Sequence, residues 1–339
     1  MKKIVYVKDV AIGSGKIKIQ SMTNTPTFDA DATIGQILRL KNAGADMVRI
    51  AIPDIQSAKA VKKIVSCGVP IIGDIHFNHK AALIAIENGI HKIRINPGNM
   101  STASIREVVL AAKEHNIPIR VGVNKGSVKE NIAPEGLAHL ALDSAKLIED
   151  IGYDKLVLAV KTSDVLATVQ AYRVLASLCS YPLHIGLTEA GTAKFGMIKS
   201  AIAVGSLLLD GIGDTVRVSL ADDPVKEIYA AKQILRACGI DKNFVDVIAC
   251  PTCARTNINV GEIAQKLEEL TKNIEKPLKV AVMGCVVNGI GESKDASFGI
   301  AGGKEKSALF IKGKMIEEIS NDQIFDKLMQ LVNKAEDYK

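Results

Sequence analysis

The fold is decided by residues 47–76, MVRIAIPDIQSAKAVKKIVSCGVPIIGDIH. This stretch begins with one apolar run, Met47 to Ile52, and closes with another, Pro70 to Ile75. Between them, Gln56 to Cys67 places apolar residues on one helical face and stops at Gly68. A strand, a helix and a second strand in this order predict one β-α-β unit with parallel strands.

The same unit recurs along most of the chain. Eight such units favour a closed (β/α)8 TIM barrel, although periodicity alone leaves a doubly wound open sheet as an alternative. The fold class expected is therefore α/β, with a barrel over 1–242 and a small α+β domain over 243–339. The apolar runs are Ile19 to Met22, Met47 to Ile52, Pro70 to Ile75, Lys92 to Ile95, Pro118 to Val123, Lys155 to Val160, Leu183 to Leu187 and Thr215 to Leu220.

Residues 1–20 predict a β-hairpin ahead of the barrel. We expect Val5 to Val7 to pair with Ile17 to Ile19 around Gly13-Ser14-Gly15-Lys16, which is a turn rather than a phosphate-binding P-loop because Ile17 replaces the required Ser or Thr. The tail predicts a mixed pattern of strand Val245 to Ala249, helix Gly261 to Ile274, strand Leu278 to Met283, a hairpin of Ser297 to Ala301 with Ala308 to Ile316, and helix Asp322 to Ala335.

Composition excludes several classes of protein. Of 339 residues, 47% are hydrophobic and 24% charged, as in a globular protein with a large core. No tryptophan and only 4% aromatic residues argue against stacking on nucleic acid. No apolar run is long enough to span a membrane, and the start lacks a signal peptide. Six cysteines without an export signal indicate the reducing cytoplasm.

Cationic side chains stand at the ends of five predicted barrel strands. Ligands of such barrels bind where the strands end, so these cations should meet at one mouth. Their mutual repulsion is costly unless a multiply charged anion binds among them, and guanidinium groups match phosphate oxygens. We expect a phosphate or diphosphate ester as substrate. The five cations are Arg49, Arg94, Arg120, Lys161 and Arg217.

Other polar residues share these strand ends. Asp74 and His76 could ligate a catalytic metal, but an Asp-oriented histidine that contacts the substrate is favoured because only one histidine lies there. Glu189 is a candidate proton donor or hydroxyl anchor. Asn96, Asn124 and Ser219 complete the set.

The tail carries the cysteine chemistry, in Cys250-Pro251-Thr252-Cys253 and Cys285. A structural zinc would need a fourth Cys or a His, and every histidine lies at or before His184. A dithiol redox pair would leave Cys285 unexplained. An iron-sulfur cluster with three thiolates and Glu292 as an exchangeable oxygen ligand uses all of these groups. The remaining thiols, Cys67, Cys179 and Cys238, end barrel helices and are expected to pack in the core.

Several ordered motifs make the chain similar to the 4-hydroxy-3-methylbut-2-enyl diphosphate synthase family. They are Gln20-Ser21-Met22-Thr23-Asn24-Thr25, Arg94-Ile95-Asn96-Pro97-Gly98-Asn99, Arg120-Val121-Gly122-Val123-Asn124, Cys250-Pro251-Thr252-Cys253 and Gly284-Cys285-Val286-Val287-Asn288-Gly289. The resemblance implies reductive ring opening of 2-C-methyl-D-erythritol 2,4-cyclodiphosphate by two one-electron transfers from a 4Fe-4S cluster, in isoprenoid biosynthesis. It also implies a homodimer in which the cluster domain of one subunit covers the partner's barrel, with flavodoxin or ferredoxin as electron donor.

The same resemblance implies roles for individual residues. The cluster ligands would be Cys250, Cys253, Cys285 and Glu292. Substrate would contact Arg49, Asp74, His76, Arg94, Arg120, Asn124, Lys161, Glu189, Arg217, Ser219 and Asn288. One departure is Ile290, where many members of the family have proline, so the loop that presents Glu292 is freer. Two other functions stay open on the residues alone: a barrel transferase or hydrolase using Asp74 and His76 with a structural zinc, and a redox carrier.

Overall fold

The computed structural model of the chain describes residues 2–124, 132–286, 291 and 293–335, and at Asn124 only the backbone. The chain divides into two compact units, Met1–Cys238 and Gly239–Lys339. The helices are α1 Ala30–Ala43, α2 Ile55–Ile64, α3 His79–Glu87, α4 Thr102–Glu114, α5 Pro134–Glu149, α6 Val165–Leu178, α7 Ala193–Leu209, α8 Pro224–Ala237, α9 Val260–Thr271 and α10 Ile324–Lys334.

The first unit is a closed barrel of parallel strands wrapped by helices, which confirms the predicted fold class. The first unit's strands are β1 Val5–Val7, β2 Val10–Ile12, β3 Lys18–Met22, β4 Met47–Ala51, β5 Ile71–Asp74, β6 Lys92–Ile95, β7 Ile119–Asn124, β8 Leu156–Lys161, β9 His184–Ile185 and β10 Thr215–Val216. Eight of them pair in the order β8-β7-β6-β5-β4-β3-β10-β9, and a parallel bridge between Leu158 and Leu183 joins the two ends.

The predicted partner of the N-terminal strand is wrong. Val5–Val7 pairs with Val10–Ile12, and Lys18–Met22 is instead the first barrel strand, between β4 and β10. The short hairpin buries Val5, Val7 and Ile12 against inward-pointing residues near the amino ends of the barrel strands. Because the hairpin closes that end with apolar side chains, the polar cavity lies at the other end.

Helix starts explain how the loops at the mouth keep their shape. Asp54, Asn78 and Asp164 each accept a hydrogen bond from a backbone N–H in the first turn of α2, α3 and α6. An N-cap of this kind contributes about 1 kcal/mol and sets the residue at which the helix begins. Apolar faces of these helices then pack on the outward-facing side chains of the strands, in one continuous core.

The second unit contains a five-stranded mixed sheet, whose strands are β11 Val245–Ala249, β12 Leu278–Met283, β13 Phe298–Ala301, β14 Lys306–Ile311 and β15 Lys314–Ser320. They pair in the order β11-β12-β13-β14-β15. The pairs β11-β12 and β12-β13 are parallel, and the pairs β13-β14 and β14-β15 are antiparallel.

The prediction of one long strand over Ala308 to Ile316 is wrong. The chain reverses at Lys312 and Gly313, both with positive φ, and Ile311 pairs with Lys314 across that turn. Two central residues with positive φ form the turn that matches the twist of a hairpin. Within the described ranges, none of the helices has the length and apolar character needed to cross a membrane.

Candidate active site at the barrel mouth

A cavity of about 300 Å³ opens at the carboxyl ends of the barrel strands. It brings together all five cations predicted from the sequence, and with them Asp74, His76 and Ser219. Strand alternation explains the convergence, since residues two apart on a strand face the same side. The five cations lining it are Arg49, Arg94, Arg120, Lys161 and Arg217.

A glycine makes room for one of these guanidinium groups. Arg94 and Arg120 are opposite each other on β6 and β7. A Cβ atom on Gly122, two residues further along β7, would lie 2.8 Å from Arg94 Nε. Arg94 Nη2 in turn donates to the Gly122 carbonyl at 3.4 Å. Any larger residue at Gly122 would force the Arg94 side chain to shift.

Asp74 is the central counter-charge of the mouth. Its Oδ1 lies 3.2 Å from Arg94 Nη1, and its Oδ2 lies 3.6 Å from Arg49 Nε and 3.3 Å from His76 Nε2. Burial opposes ionisation of Asp74, but the charges of Arg49 and Arg94 and the hydrogen bond with His76 outweigh it and hold the pKa of Asp74 well below its usual range. Asp74 therefore stays ionised and fixes both guanidinium groups.

A second counter-charge, Glu227 on α8, escaped the sequence analysis. Its carboxylate accepts from Arg217 Nε at 3.2 Å and Nη2 at 3.3 Å, and from the backbone N–H of Leu220 at 3.0 Å. Glu227 is only 3% exposed. The signal that could have found it is a lone carboxylate on the helix face that also buries Ile228 and Ala231.

Two further polar residues below the mouth were also missed. Lys92, two residues before Arg94 on the same inward face of β6, is fully buried. His184 on β9 is fully buried as well and contacts Lys161. Strand alternation counted back from Arg94 predicts the inward placement of Lys92. His184 lies in a two-residue strand too short to show a pattern.

The mouth carries more positive charge than its acids neutralise. Burial lowers the pKa of Arg49 to about 10, against the pull of Asp74. Arg120 Nε and Nη1 and Arg94 Nε are buried with no hydrogen-bond partner anywhere in residues 2–124, 132–286, 291 or 293–335. Buried donors without partners are rare in native proteins and here surround a cavity. The arrangement suits an anion with several acceptor oxygens.

Other predicted site residues are not gathered in the cavity lining. Glu189 is exposed and follows Leu187 and Thr188, which do line the cavity. Its backbone is in the left-handed region, with φ of 54°, a conformation that costs a residue with a side chain about 1 kcal/mol or more. The Asn124 side chain, Asn288 and Glu292 lie outside the described part of the structure.

The second unit brings its cysteine-bearing segments to one edge of its sheet. Cys250 directly follows β11 and Cys285 follows β12, and these strands are parallel neighbours. The backbone N–H of Gly284 donates to Cys250 Sγ at 3.1 Å. Cys253 is exposed, and a hydrogen bond from the backbone of Arg255 lowers the pKa of its thiol. The lowered pKa of Cys253 favours the thiolate form that binds metal.

No three Cys, His, Asp or Glu side chains among the described residues form a group that could hold a metal ion. This holds also for Asp74 with His76, so the structure gives no support to a metal at the barrel mouth. Cys67, Cys179 and Cys238 pack against the barrel core, as predicted.

Fold and cavity together define a (β/α)8 barrel protein with a strongly cationic mouth, joined to a smaller cysteine-bearing unit. The GcpE TIM-barrel domain family matches residues 2–232, and the GcpE protein C-terminal domain matches residues 246–334. The chain belongs to the GcpE family. This confirms the family indicated by the sequence motifs.

Two relatives that share one name are similar to this chain over almost their whole length. One from Caldanaerobacter subterraneus is 48% identical over 95% of this chain and 93% of its own, and one from Clostridium perfringens is 45% identical over 97% of both. Both are called 4-hydroxy-3-methylbut-2-en-1-yl diphosphate synthase (flavodoxin).

Solved structures share the fold at low identity. A type I 3-dehydroquinate dehydratase from Clostridium difficile has a TM-score of 0.52 at 16% identity and covers 70% of this chain and 99% of its own. A dihydropteroate synthase from Thermus thermophilus has a TM-score of 0.51 at 13% identity, with 68% of this chain and 98% of its own covered. At this level of identity the similarities show the fold alone.

Proposed function

We propose that the chain is a 4-hydroxy-3-methylbut-2-enyl diphosphate synthase of isoprenoid biosynthesis. It reduces 2-C-methyl-D-erythritol 2,4-cyclodiphosphate with two electrons, breaks one ring C–O bond to phosphate and releases a hydroxyl group as water. The observation that carries this function is the mouth with five cations and unpartnered guanidinium donors, in a chain matched by GcpE families in both halves.

The cations bind the diphosphate and stabilise charge on it as the ring opens. Arg94 and Arg120 present rigid donors that find no hydrogen-bond partner among the residues that the structure describes and that an anion could satisfy. Donors that are held in place before the reaction do not need to reorganise as charge develops, which is the main source of electrostatic catalysis. The ring around the cavity is completed by Arg49, Lys161 and Arg217. Asp74 pairs with the guanidinium groups of Arg49 and Arg94 and holds them in place.

The remaining contacts orient the methylerythritol part. His76 and Ser219 line the cavity and donate or accept hydrogen bonds at its rim. We assign Glu189 to a proton or hydroxyl of the substrate, because the two residues before it line the cavity and its strained backbone is typical of functional loops. Asn124 and Asn288 contribute amide groups by family resemblance.

The residues of the second unit fit a 4Fe-4S cluster. Cys250, Cys253 and Cys285 would hold it together with Glu292, and when bound the cluster supplies electrons one at a time. Two features of this chain suit thiolate ligands: the Gly284 N–H directed at Cys250 Sγ and the lowered pKa of Cys253. We assign the substrate-binding role to 1–242 and the cluster-binding role to 243–339.

The electron donor is flavodoxin or ferredoxin, since relatives carry flavodoxin in their names. We place the reaction in the cytoplasm, where thiols remain reduced. The protein acts as a homodimer in which the cluster unit of one subunit covers the barrel mouth of the other.

An anaerobic turnover assay tests the function. Protein with reconstituted iron and sulfide, a low-potential reductant and the cyclodiphosphate should yield the linear hydroxymethylbutenyl diphosphate. Protein that contains zinc and no iron, and yet is active, would support the transferase or hydrolase alternative. Iron-loaded protein that accepts electrons but leaves the cyclodiphosphate unchanged would support a redox carrier.

A complementation experiment tests the dimer. Arg120→Ala impairs a barrel mouth and Cys285→Ser disables a cluster, so each variant alone should retain at most about a tenth of wild-type activity. If sites form between subunits, random mixing creates dimers with one intact site and restores about a quarter of wild-type activity. If mouth and cluster come from the same subunit, mixing restores no activity.

A further inference from the structure

A chain of three buried polar side chains runs beneath the mouth across neighbouring strands. Lys161 Nζ lies 3.1 Å from His184 Nε2, and His184 Nδ1 lies 2.7 Å from Thr215 Oγ1. Lys161 is 8% exposed, while His184 and Thr215 are fully buried. Tyr172 donates its hydroxyl to the backbone carbonyl of His184 and fixes that strand. The barrel framework therefore determines where Lys161 and His184 meet.

Lys161 and His184 together can carry only one positive charge. A protonated imidazole would direct its Nε2–H at an ammonium group, so two donors would face each other at 3.1 Å. A charged Lys161 needs a neutral His184 that accepts at Nε2 and donates from Nδ1 to Thr215. An uncharged Lys161 can accept from Nε2–H while the Thr215 hydroxyl donates to Nδ1. The chain accommodates both states of the lysine.

The surroundings of Lys161 oppose its charge. Asp74 and Glu227 are already paired with arginines, and no carboxylate of the described ranges forms an ion pair with Lys161. His184 faces the cations Lys161, Arg120, Lys92 and Arg49. The charged groups facing Lys161 from other elements are Arg120 on β7, Arg49 on β4, Arg217 after β10 and Arg94 on β6.

Burial and this positive field act in the same direction. Burial lowers the pKa of Lys161 well below its ordinary value of 10.5, and the charges of Arg120 and Arg49 lower it further. Burial also holds the pKa of His184 well below its usual value. A doubly charged anion in the cavity would offset this positive field.

The position of the amine is built into the backbone. A Cβ atom on Gly186 would lie 3.0 Å from Lys161 Nζ and 2.3 Å from the Arg217 carbonyl oxygen. Gly186 has a φ of 149°, in the region that favours glycine. Lys161 Nζ thus lies beside bare backbone, between His184 and the cavity.

We propose that His184 is a positioning residue for Lys161, that Lys161 is an uncharged amine in the anion-free protein, and that anion binding in the mouth makes Lys161 take up one proton. The proton comes from solvent or buffer, the amine becomes an ammonium group, and no bond of the anion breaks. The proposal rests on the proposed function only in that the mouth binds an anion.

Isothermal titration calorimetry tests the proton uptake. Sulfate and the cyclodiphosphate keep their own charge near neutral pH, so protons taken up belong to the protein. Titrations at pH 8 in two buffers of different ionisation enthalpy should give about one proton per bound anion, and binding should weaken by up to about tenfold per pH unit as pH rises. Binding of either anion without proton uptake overturns the inference and leaves the proposed function intact. Sulfate binding with uptake, but no binding of the cyclodiphosphate, keeps the inference and refutes the function.

Three variants locate the proton. Lys161→Arg keeps a permanent charge and should bind sulfate with no uptake, and uptake that persists there would assign the proton elsewhere, with Lys92 the nearest alternative. His184→Gln retains an acceptor and should bind nearly as well as wild type. His184→Leu removes the acceptor and should bind about tenfold more weakly, while still taking up the proton. Equal binding by the Leu and Gln variants would overturn the positioning role. Thermal melts monitor folding, and the wild-type proton count decides the question if a variant fails to fold.

Discussion

The barrel mouth and the cysteine edge of the second unit are built in opposite ways. In the mouth, Arg94 and Arg120 are almost completely buried and stand opposite each other on adjacent strands, with Asp74 holding Arg94 in place. At the cysteine edge, Cys253 is exposed, and no metal-binding group forms within the parts of the chain that were described.

The two sites obtain their order from different sources. Strand geometry and ion pairs build the anion site before any ligand is present, so its mutants should reveal themselves in binding and in stability. Under the proposed function, the cysteine ligands on loops would be assembled by the metal itself, and metal binding would then contribute to folding of that unit. The predictions below separate the two cases.

The largest effect is expected from Cys285→Ser. Loss of one thiolate should reduce iron content and turnover by about a hundredfold or more. The anion site should not change, so sulfate affinity stays at the wild-type value. Iron analysis, turnover and sulfate titration measure the three quantities. Cys179→Ser, at a thiol packed against the barrel core, is the matched control and should keep its iron. A Cys285→Ser protein with full iron content would contradict the ligand assignment.

Asp74→Asn should destabilise the anion-free protein by about 3–5 kcal/mol, because two buried guanidinium groups lose their counter-charge. Sulfate should restore part of this loss by replacing the missing charge. Because the pKa of Asp74 is depressed from 3.8, its stabilisation is complete above about pH 5 and declines as pH falls below 4.

Denaturant unfolding at several pH values, with and without sulfate, measures this difference. Asp31→Asn removes an exposed ion pair with Lys63 and serves as the control with no measurable change. An Asp74→Asn protein as stable as wild type at pH 7 would show that the mouth does not depend on this carboxylate.

Arg120→Ala should lower kcat/KM for the cyclodiphosphate by about ten- to a hundredfold, through loss of charge-assisted hydrogen bonds to phosphate. Iron content should remain at the wild-type value, in contrast to Cys285→Ser. Steady-state kinetics and iron analysis on the same sample give both numbers. The control is Arg173→Ala, at an exposed arginine paired with Asp210. Equal kcat/KM for Arg120→Ala and wild type would refute the anion-binding role.

The smallest effect is expected from Gly186→Ala. The added Cβ would lie 2.3 Å from the Arg217 carbonyl oxygen, and the backbone φ is strained for alanine. We therefore expect the free energy of unfolding to fall by about 1–3 kcal/mol and sulfate to bind more weakly. Gly191→Ala carries a similar φ strain, at 105°, with no neighbouring atom within 4 Å, so it isolates the contact with Arg217. Equal losses in the two variants would show that the backbone conformation alone matters.

The sequence predicted strand β6 to the residue and the five cations of the mouth, because strand alternation is a local property. It extended the last two barrel strands too far, since apolar residues continue into the loops. In the structure β9 is only His184–Ile185 and β10 only Thr215–Val216. The β-ladder of these two strands ends where the neighbouring strands offer no further backbone partners. A local sequence pattern does not show where that happens.

Long-range pairing accounts for the other misses. Strand Val5–Val7 pairs with Val10–Ile12, because β3 is already paired within the barrel with β4 and β10. Glu227 lies on α8, ten residues after Arg217 in the chain, and contacts Arg217 across the mouth. Its role depends on which face of α8 packs against the barrel.

By itself, the sequence determined the eightfold repeat, the charge at the strand ends and the spacing of the cysteines, because each follows from neighbours within a few residues. Only the tertiary structure decided which acids neutralise those cations, which donors stay unpaired, and that Lys161 meets His184. Those contacts join residues far apart in the chain, and in a low-dielectric interior they set which groups carry charge.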